Sequence, residues 1–472
     1  MKKFDLVVIG GGAGGMTTAA GAASLGAKVA LIEKRDELGG DCLHYGCVPS
    51  KALIEAANDA AKARKAQTFG LTSTGTVDLE KINQRVKKAV AHIQEHDSKE
   101  RFTDLGVDVF HGAASFVDKH HVQVDDKQLY GNKIVVAVGS RANIAPIEGL
   151  EDTGYLSNET VFDLTELPER MVFIGGGLVG LEIAQAFARL GTAVTVLEGG
   201  PAVLGKEDRD IQAKAVELLE KELTIVVNAQ IIRCARSAGG RRVDYTIDGQ
   251  EYSEEADQIF VSTGRKPNTE NLDLERAGVK MDERGFIRVD DTLRTAQPHI
   301  FAVGDVNGSY PFTHVAGMEG KLVVQNALFH LKRKISYDYV PWNTYITPEI
   351  FHFGPTQQEA AKTGDVFVYT APLDEVDRFT ADEAEEGLIK VVTNKKGEIL
   401  GAHAIGKGAG DWMQVMVLAA EKNMKIGDLS QMLYPYPNHA AAIERVSNAY
   451  WRNKLFSGVV PKVTAKVIRW LP

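Results

Sequence analysis

Two cysteines set five positions apart carry the most reactive chemistry in this chain. They lie in Gly39-Gly40-Asp41-Cys42-Leu43-His44-Tyr45-Gly46-Cys47-Val48-Pro49-Ser50-Lys51. On a regular helix Cys42 and Cys47 would point about 140° apart, too divergent for a bridge. Gly46 relaxes the backbone between them, and Pro49 lacks the N–H that the Tyr45 carbonyl would otherwise accept. The segment therefore opens a helix irregularly enough to bring the sulfurs together. A helix start favours thiolate through its dipole, and Lys51 adds a cation. The expected chemistry is reversible making and breaking of a sulfur–sulfur bond. A pair of inert buried thiols is the competing reading; the flanking glycines, Pro49 and Lys51 count against it.

The elements around this segment read as nucleotide cradles. Val7-Val8-Ile9 runs into Gly10-Gly11-Gly12-Ala13-Gly14-Gly15, a small-residue helix follows from Met16 to Leu25, and a strand from Lys28 to Ile32 ends at Glu33. Gly10 permits the tight turn, Gly12 lets the backbone approach a pyrophosphate, and Gly15 lets helix and strand pack closely. The phosphate sits on unpaired helix N–H groups, and Glu33 is placed for a ribose hydroxyl. The design recurs: strand Met171 to Ile174, then Gly175, Gly177 and Gly180, a helix through Leu190, and strand Ala193 to Leu197 ending at Glu198. One glycine triplet is weak evidence, but two in strand–loop–helix–strand context, each with its acidic residue, are strong. Glu198 accepts from a ribose 2′-OH and repels a 2′-phosphate, and Gly199-Gly200-Pro201-Ala202 offers no arginine, so the second site reads as NADH-specific rather than NADPH-specific.

Shorter strands end in Gly139-Ser140-Arg141, in Thr263-Gly264-Arg265-Lys266-Pro267-Asn268 and in Gly304-Asp305. In the last, a carboxylate suits a polyol chain, though a plain turn fits equally. Helical stretches from Ala52 to Lys65 and Leu79 to Phe102 read as a solvated pair. From about Pro341 the composition shifts to strands Gly387 to Thr393 and Ile399 to Ile405 and a helix from Asp411 to Asn423, with no glycine loop.

With 472 residues, the chain exceeds one ordinary core. The expected fold is α/β, with two Rossmann-like dinucleotide-binding domains and an α+β C-terminal dimerisation domain. The expected division is 1–148 and 269–338 for the first nucleotide domain, 149–268 for the second, and 339–472 for assembly. A net charge of −9 argues against nucleic acid. Three cysteines make no secreted disulfide framework. The opening strand leaves no room for a signal peptide, and no apolar run approaches the ~20 residues of a membrane helix. A cytoplasmic location is expected. Cys234 reads as a buried bystander, and the basic, aromatic tail from Lys462 to Trp470 as surface packing.

Together these motifs resemble the pyridine nucleotide–disulfide oxidoreductases of the dihydrolipoamide dehydrogenase, glutathione reductase and mercuric reductase group. The resemblance spans the chain and includes Gly-Gly-x-Cys-x4-Cys-x-Pro-Ser-Lys, Glu182 beyond the second loop, Gly264-Arg265-x-Pro267-Asn268 and Ala302-Val303-Gly304-Asp305. It implies FAD in the first domain, NAD(P)H in the second, a homodimer, and electron flow from nicotinamide through flavin to a Cys42–Cys47 disulfide. Cys47 would then be the charge-transfer thiol and Cys42 the exposed thiol that attacks substrate. Lys51 and Glu182 would form an ion pair near the flavin, Asp305 would hold the ribityl chain, and Gly40, Gly139, Gly264 and Thr313-His314-Val315-Ala316 would line the cofactor.

One stretch departs from the family. Where a His with an acidic orienter is expected, the chain reads Tyr434-Pro435-Tyr436-Pro437-Asn438-His439-Ala440-Ala441-Ala442-Ile443-Glu444, with Tyr436 at the histidine position and alanine at the orienter. A phenol is a poor base at neutral pH; His439 reads either as a substitute base or as an ordinary exposed or packed histidine. The tyrosine resembles mercuric reductases, yet this chain lacks their C-terminal cysteine pair. The expected acceptor is a small-molecule disulfide with an acidic leaving thiol. The alternatives are a soft metal ion such as mercury(II) or copper(II), lipoamide, or a redox-sensing or assembly role with little turnover.

Overall fold

The computed structural model describes residues 2–72, 74–456 and 467–470, so the tail that begins at Lys462 falls partly outside the described residues. Two compact units result: one of residues 1–200 and 225–336, the other of 201–224 and 337–472.

In the first unit, strands Val107–His111, Val29–Glu33, Lys2–Ile9 and Lys127–Val136 lie side by side in parallel, with Ile300–Ala302 also on Lys127–Val136. Successive side chains of a strand point to opposite faces, and both faces here are covered. Val7 and Ile9 enter a core with Ile32, Ile134, Ile300 and Ala302, while Leu6 and Val8 enter another with Ala19, Ala22, Leu31, Phe301 and Val323. Burial on both sides explains the unbroken apolar runs. A second parallel set joins Ala193–Leu197, Arg170–Ile174 and Gln258–Val261. A two-stranded ribbon pairs Ser140–Ala142 with Arg265–Pro267.

The glycine loops of the two nucleotide motifs are built alike. A β-carbon on Gly15 would stand 1.9 Å from the Gly10 carbonyl oxygen, and one on Gly180 would stand 2.4 Å from that of Gly175. No larger residue fits either position without moving the helix off the strand. Helix α1 (Ala13–Ser24) begins three residues before the sequence expectation. The expected 79–102 helix is two, Leu79–Gln94 and Lys99–Asp104, because the Ser98 hydroxyl accepts from Arg101 N and starts a new helix. The 411–423 helix also divides, into Ala409–Trp412 and Gln414–Glu421.

The second unit is a five-stranded antiparallel sheet, ordered Pro341–Thr344, Glu349–Phe353, Ile399–Gly406, Leu388–Thr393 and Phe367–Pro372. One face packs Phe351, Phe353, Ile389, Val391, Ala402 and Ala404 against helices that include Ala441–Phe456. The other face carries a registered row, Trp342 opposite His352, His352 opposite His403 and His403 opposite Lys390. Glu207, Asp208 and Asp210, at the start of helix Arg209–Leu219, close over it. Glu207 accepts from Trp342 Nε1 at 2.8 Å and meets His352 Nδ1 at 3.0 Å. Lys390, 0% exposed, donates to Asp208 at 2.7 Å and Asp210 at 2.6 Å. Burial alone would raise the Asp208 carboxyl pKa, but the Lys390 bond and charge outweigh it and hold it below the carboxylate range. Burial, His352 and Lys390 push His403 down to about 3, so this imidazole is neutral.

Removing one partner of a buried pair strands the other charge. Lys390→Met is expected to cost about 3–5 kcal/mol, seen as a lowered denaturant midpoint, with part of the loss recovered when Asp208→Leu is added. A Lys390→Met midpoint equal to the parent's would show that the pair carries no stability.

Candidate active site

The reactive segment breaks its helix where the sequence places Gly46. Helix α2 spans Gly40–His44, Tyr45 and Gly46 leave helical geometry, and α3 begins at Cys47 and runs to Lys65. The expected 52–65 helix is thus longer at its start, and Cys47 occupies its first position, where unpaired N–H groups favour negative charge. Both cysteines stand as free thiols. Cys47 is exposed and Cys42 half-buried; Cys42 lies on α2, and Cys47 opens the next helix.

Both thiols lie near a helix start, but their surroundings separate them. A hydrogen bond from Cys42 lowers the Cys47 pKa to about 6, helped by the Thr313 hydroxyl and the Lys51 charge, with burial and Glu182 opposing. The same hydrogen bond, then burial and the charge on Cys47, push the Cys42 pKa well up. Thr313 Oγ1 lies 3.4 Å from Cys47 Sγ. Lys51, one turn beyond Cys47 on α3, donates to Glu182 at 2.7 Å. Glu182 is 6% exposed on helix Leu178–Leu190, a buried carboxylate with its cation in place.

The cradles fit dinucleotides. Neither α1 nor helix Leu178–Leu190 has a side-chain cap or an acidic residue in its first turn, so both N-termini are left for an anion. A β-carbon on Gly40 would stand 2.7 Å from Gly12 Cα, so the two glycines keep the backbone surface bare where a diphosphate approaches. Glu33 accepts from Gly11 N at 2.7 Å and Arg35 N at 3.0 Å; Glu198 accepts from Gly176 N and Gly200 N, each at 2.7 Å. Each carboxylate therefore fixes its glycine turn, a structural task the sequence did not disclose. Asp305 accepts from the Ser140 hydroxyl and lies 3.5 Å from Arg265 Nε. Gly139 and Gly264 flank the ribbon: the Gly139 carbonyl accepts from Asn268 N at 3.1 Å and that of Gly264 from Asn143 N at 2.9 Å. At the start of helix Thr313–Leu328, the His314 ring stacks on Phe312 at 5.5 Å, while the Ala316 Cβ would stand 3.5 Å from a β-carbon on Gly14. Cys234 is buried, and burial raises its pKa to about 11.

The second unit holds the other expected residues. Tyr436, 82% exposed, donates to Asp377 Oδ2 at 2.8 Å, which raises its pKa further from the range of a useful base. His439 Nε2 lies 3.0 Å from Asp382 Oδ2. Burial lowers the His439 pKa against the pull of Asp382, while Lys407 and its neighbours hold Asp382 down to about 2. The carboxylate that meets His439 comes from 57 positions earlier, on Asp382. No local spacing in the sequence links the two residues.

Comparison with known proteins gives the same class. The mercuric reductase of Staphylococcus aureus is 34% identical over 445 residues, covering 93% of this chain and 81% of the relative. The dihydrolipoyl dehydrogenase of Bacillus subtilis (strain 168) is 33% identical over 448 residues, 92% of this chain and 94% of the relative. Among solved structures, the Cu(II) complex of the HOCl-induced flavoprotein disulfide reductase RclA from Escherichia coli superposes with TM-score 0.85 at 27% identity, covering 95% of this chain and 99% of that one. Fold and site define an enzyme that moves electron pairs between bound dinucleotides and a cysteine pair. The chain belongs to the pyridine nucleotide-disulphide oxidoreductase family, whose profile matches residues 4–320 and whose dimerisation domain matches 340–446. It is a flavin disulfide oxidoreductase that uses FAD and NAD(P)H. Among the described residues no helix is long and apolar enough to cross a membrane.

Cys47 is expected to ionise as pH rises through about 6. Thr313→Val removes a hydrogen bond to the thiolate, so the midpoint for Cys47 alkylation in the reduced protein should move upward. An unmoved or lowered midpoint would exclude Thr313 as a thiolate partner.

Proposed function

We propose that the chain is an NADH-dependent reductase that hands two electrons to an acceptor at Cys42. FAD, when bound, supplies a carrier that takes an electron pair from NADH and delivers it to the cysteine pair. The amides of Gly12 to Gly15 and the bare surface at Gly40 bind its diphosphate, Glu33 its ribose and Asp305 its ribityl chain, with Gly10, Gly139, His314 and Ala316 shaping the same cradle. Gly175, Gly177, Gly180 and Glu198 bind the nicotinamide dinucleotide, and Gly264 borders the passage between the two. In these roles residues 1–148 and 269–338 form the FAD part, 149–268 the NADH part, and 339–472 the homodimer contact.

The cysteine chemistry balances without other reagents. Cys42 gives its proton to solvent and attacks one sulfur of an acceptor disulfide while the other leaves as thiolate; the Cys47 thiolate then displaces the bound half, so two thiolates depart and a Cys42–Cys47 bond remains. The lowered Cys47 thiol beside Thr313, Lys51 and Glu182 is the observation that carries this reading. Tyr436 holds its proton too tightly to serve as base, so an acidic leaving thiol departs unprotonated, or His439 held by Asp382 supplies the proton. A second reading rests on the mercuric reductase relatives: the two sulfurs bind and reduce a soft metal ion as substrate. Cysteine used as a working dithiol suits the cytoplasm.

Anaerobic NADH titration of the yellow holoenzyme, followed by disulfides and by mercury(II) or copper(II) in parallel, separates these readings. Turnover with one acceptor class, abolished in Cys42→Ala, is expected. NADH oxidation that persists in Cys42→Ala would sink both. NADH should outperform NADPH in kcat/KM, and Glu198→Gln should narrow that ratio about tenfold, a charge-assisted hydrogen bond being about 1.5 kcal/mol or more.

A further inference from the structure

Asp41 lies between Gly40 and Cys42, and the electron path gives it no task. Both its oxygens are held: Asn158 Nδ2 donates to Oδ1 at 3.3 Å, and Arg265 Nη2 donates to Oδ2 at 3.0 Å. Asn158, 8% exposed, also donates to the Tyr45 carbonyl at 3.1 Å. One buried amide therefore ties the beginning of α2 to the residue where that helix stops. The carboxylate also lies against the turn between the cysteines, since a β-carbon on Gly46 would stand 3.3 Å from Asp41 Oδ2 and 3.0 Å from the Asp41 carbonyl oxygen. Gly46 is thus needed for more than backbone freedom; it makes room for this carboxylate.

Arg265 anchors the far side. Its Nε donates to Ser140 Oγ at 2.7 Å and its Nη2 to the Ser140 carbonyl at 3.1 Å. The ribbon that carries Ser140 and Arg265 is itself hydrogen-bonded across both strands, so the guanidinium is held on a rigid support.

We propose that Asp41, clamped by Asn158 and Arg265, is a positioning residue that fixes the turn between the two cysteines and keeps the proton of the reduced pair on Cys42. This rests on the reading of Cys42 as the thiol that meets the acceptor. A fixed carboxylate one residue from Cys42 raises the energy of negative charge on that sulfur. It acts in the same direction as the Cys47 hydrogen bond and burial, with the Thr313 hydroxyl opposing. Around Cys47 the balance runs the other way, through Cys42, Thr313 and Lys51 against burial and Glu182. The reduced pair is stored as one thiolate and one thiol rather than as two competing microstates. Because the thiolate is the reactive form, the clamp also spares Cys42 from reaction with chance electrophiles.

Site-resolved alkylation tests this on the reduced holoenzyme. Iodoacetamide labelling of Cys42 and Cys47 is followed by mass spectrometry across a pH series, in the parent, Asp41→Asn, Asp41→Ser and Asp41→Glu. Loss of the charge should lower the Cys42 midpoint by about one unit and speed its labelling at neutral pH by about three- to tenfold, the smaller figure allowing for the weaker nucleophilicity of a more acidic thiol. The Cys47 midpoint should stay near 6, and Asp41→Glu should restore much of the parent profile. If Asp41→Asn does not fold, Asp41→Ser, which removes charge and bulk, gives the same reading. A Cys42 midpoint unchanged in the folded neutral variants, or a fall shared equally by both cysteines, overturns the inference. An acceptor that never engages Cys42 would instead overturn the proposed function and leave this profile as it is.

Discussion

The mutual influence of the Cys42 and Cys47 thiols is the interaction on which the site depends. It is the largest influence on both thiols, lowering one and raising the other. It exists because the chain stops being helical at Tyr45 and Gly46 and restarts at Cys47. A continuous helix would separate the sulfurs and leave two ordinary thiols. The helix start, Thr313 and Lys51 then act on a charge whose location is already decided.

Around that pair, the nucleotide cradles repeat one solution. In each, an acidic residue at the end of the second strand accepts from the first glycine turn, and a glycine in the helix presses on the carbonyl of the loop's opening glycine. A helix N-terminus free of caps and acids is left facing the space where a diphosphate belongs. Recurrence of the same contacts in two separate parallel sheets is a stronger statement than either motif, since a chance turn would not rebuild the same carboxylate–amide bond.

Much of this was legible in the sequence because its signals are local. Strand, glycine loop, helix and acidic residue fall within about thirty positions, and the Cys42–Cys47 segment carries its own helix-breaking residues. What the sequence hid is what the fold brings from afar. Thr313 reaches Cys47, Arg265 reaches Asp41, Asp382 meets His439, and Lys390 closes on Asp208, each pairing residues with no common periodicity. The departure at Tyr436 was visible, whereas the carboxylate that gives His439 a fixed orientation was not. Helix boundaries erred where a single hydroxyl, that of Ser98, outweighed helical composition.

As proposed, Cys47 bears the negative charge of the reduced pair and stands as the thiolate partner of the flavin. Anaerobic addition of stoichiometric NADH to the holoenzyme, read as long-wavelength charge-transfer absorbance, tests it most directly. A band that fades as pH falls through about 6, persists in Cys42→Ser and vanishes in Cys47→Ser is the predicted result. A band retained in Cys47→Ser, or one indifferent to pH across that range, would contradict the account.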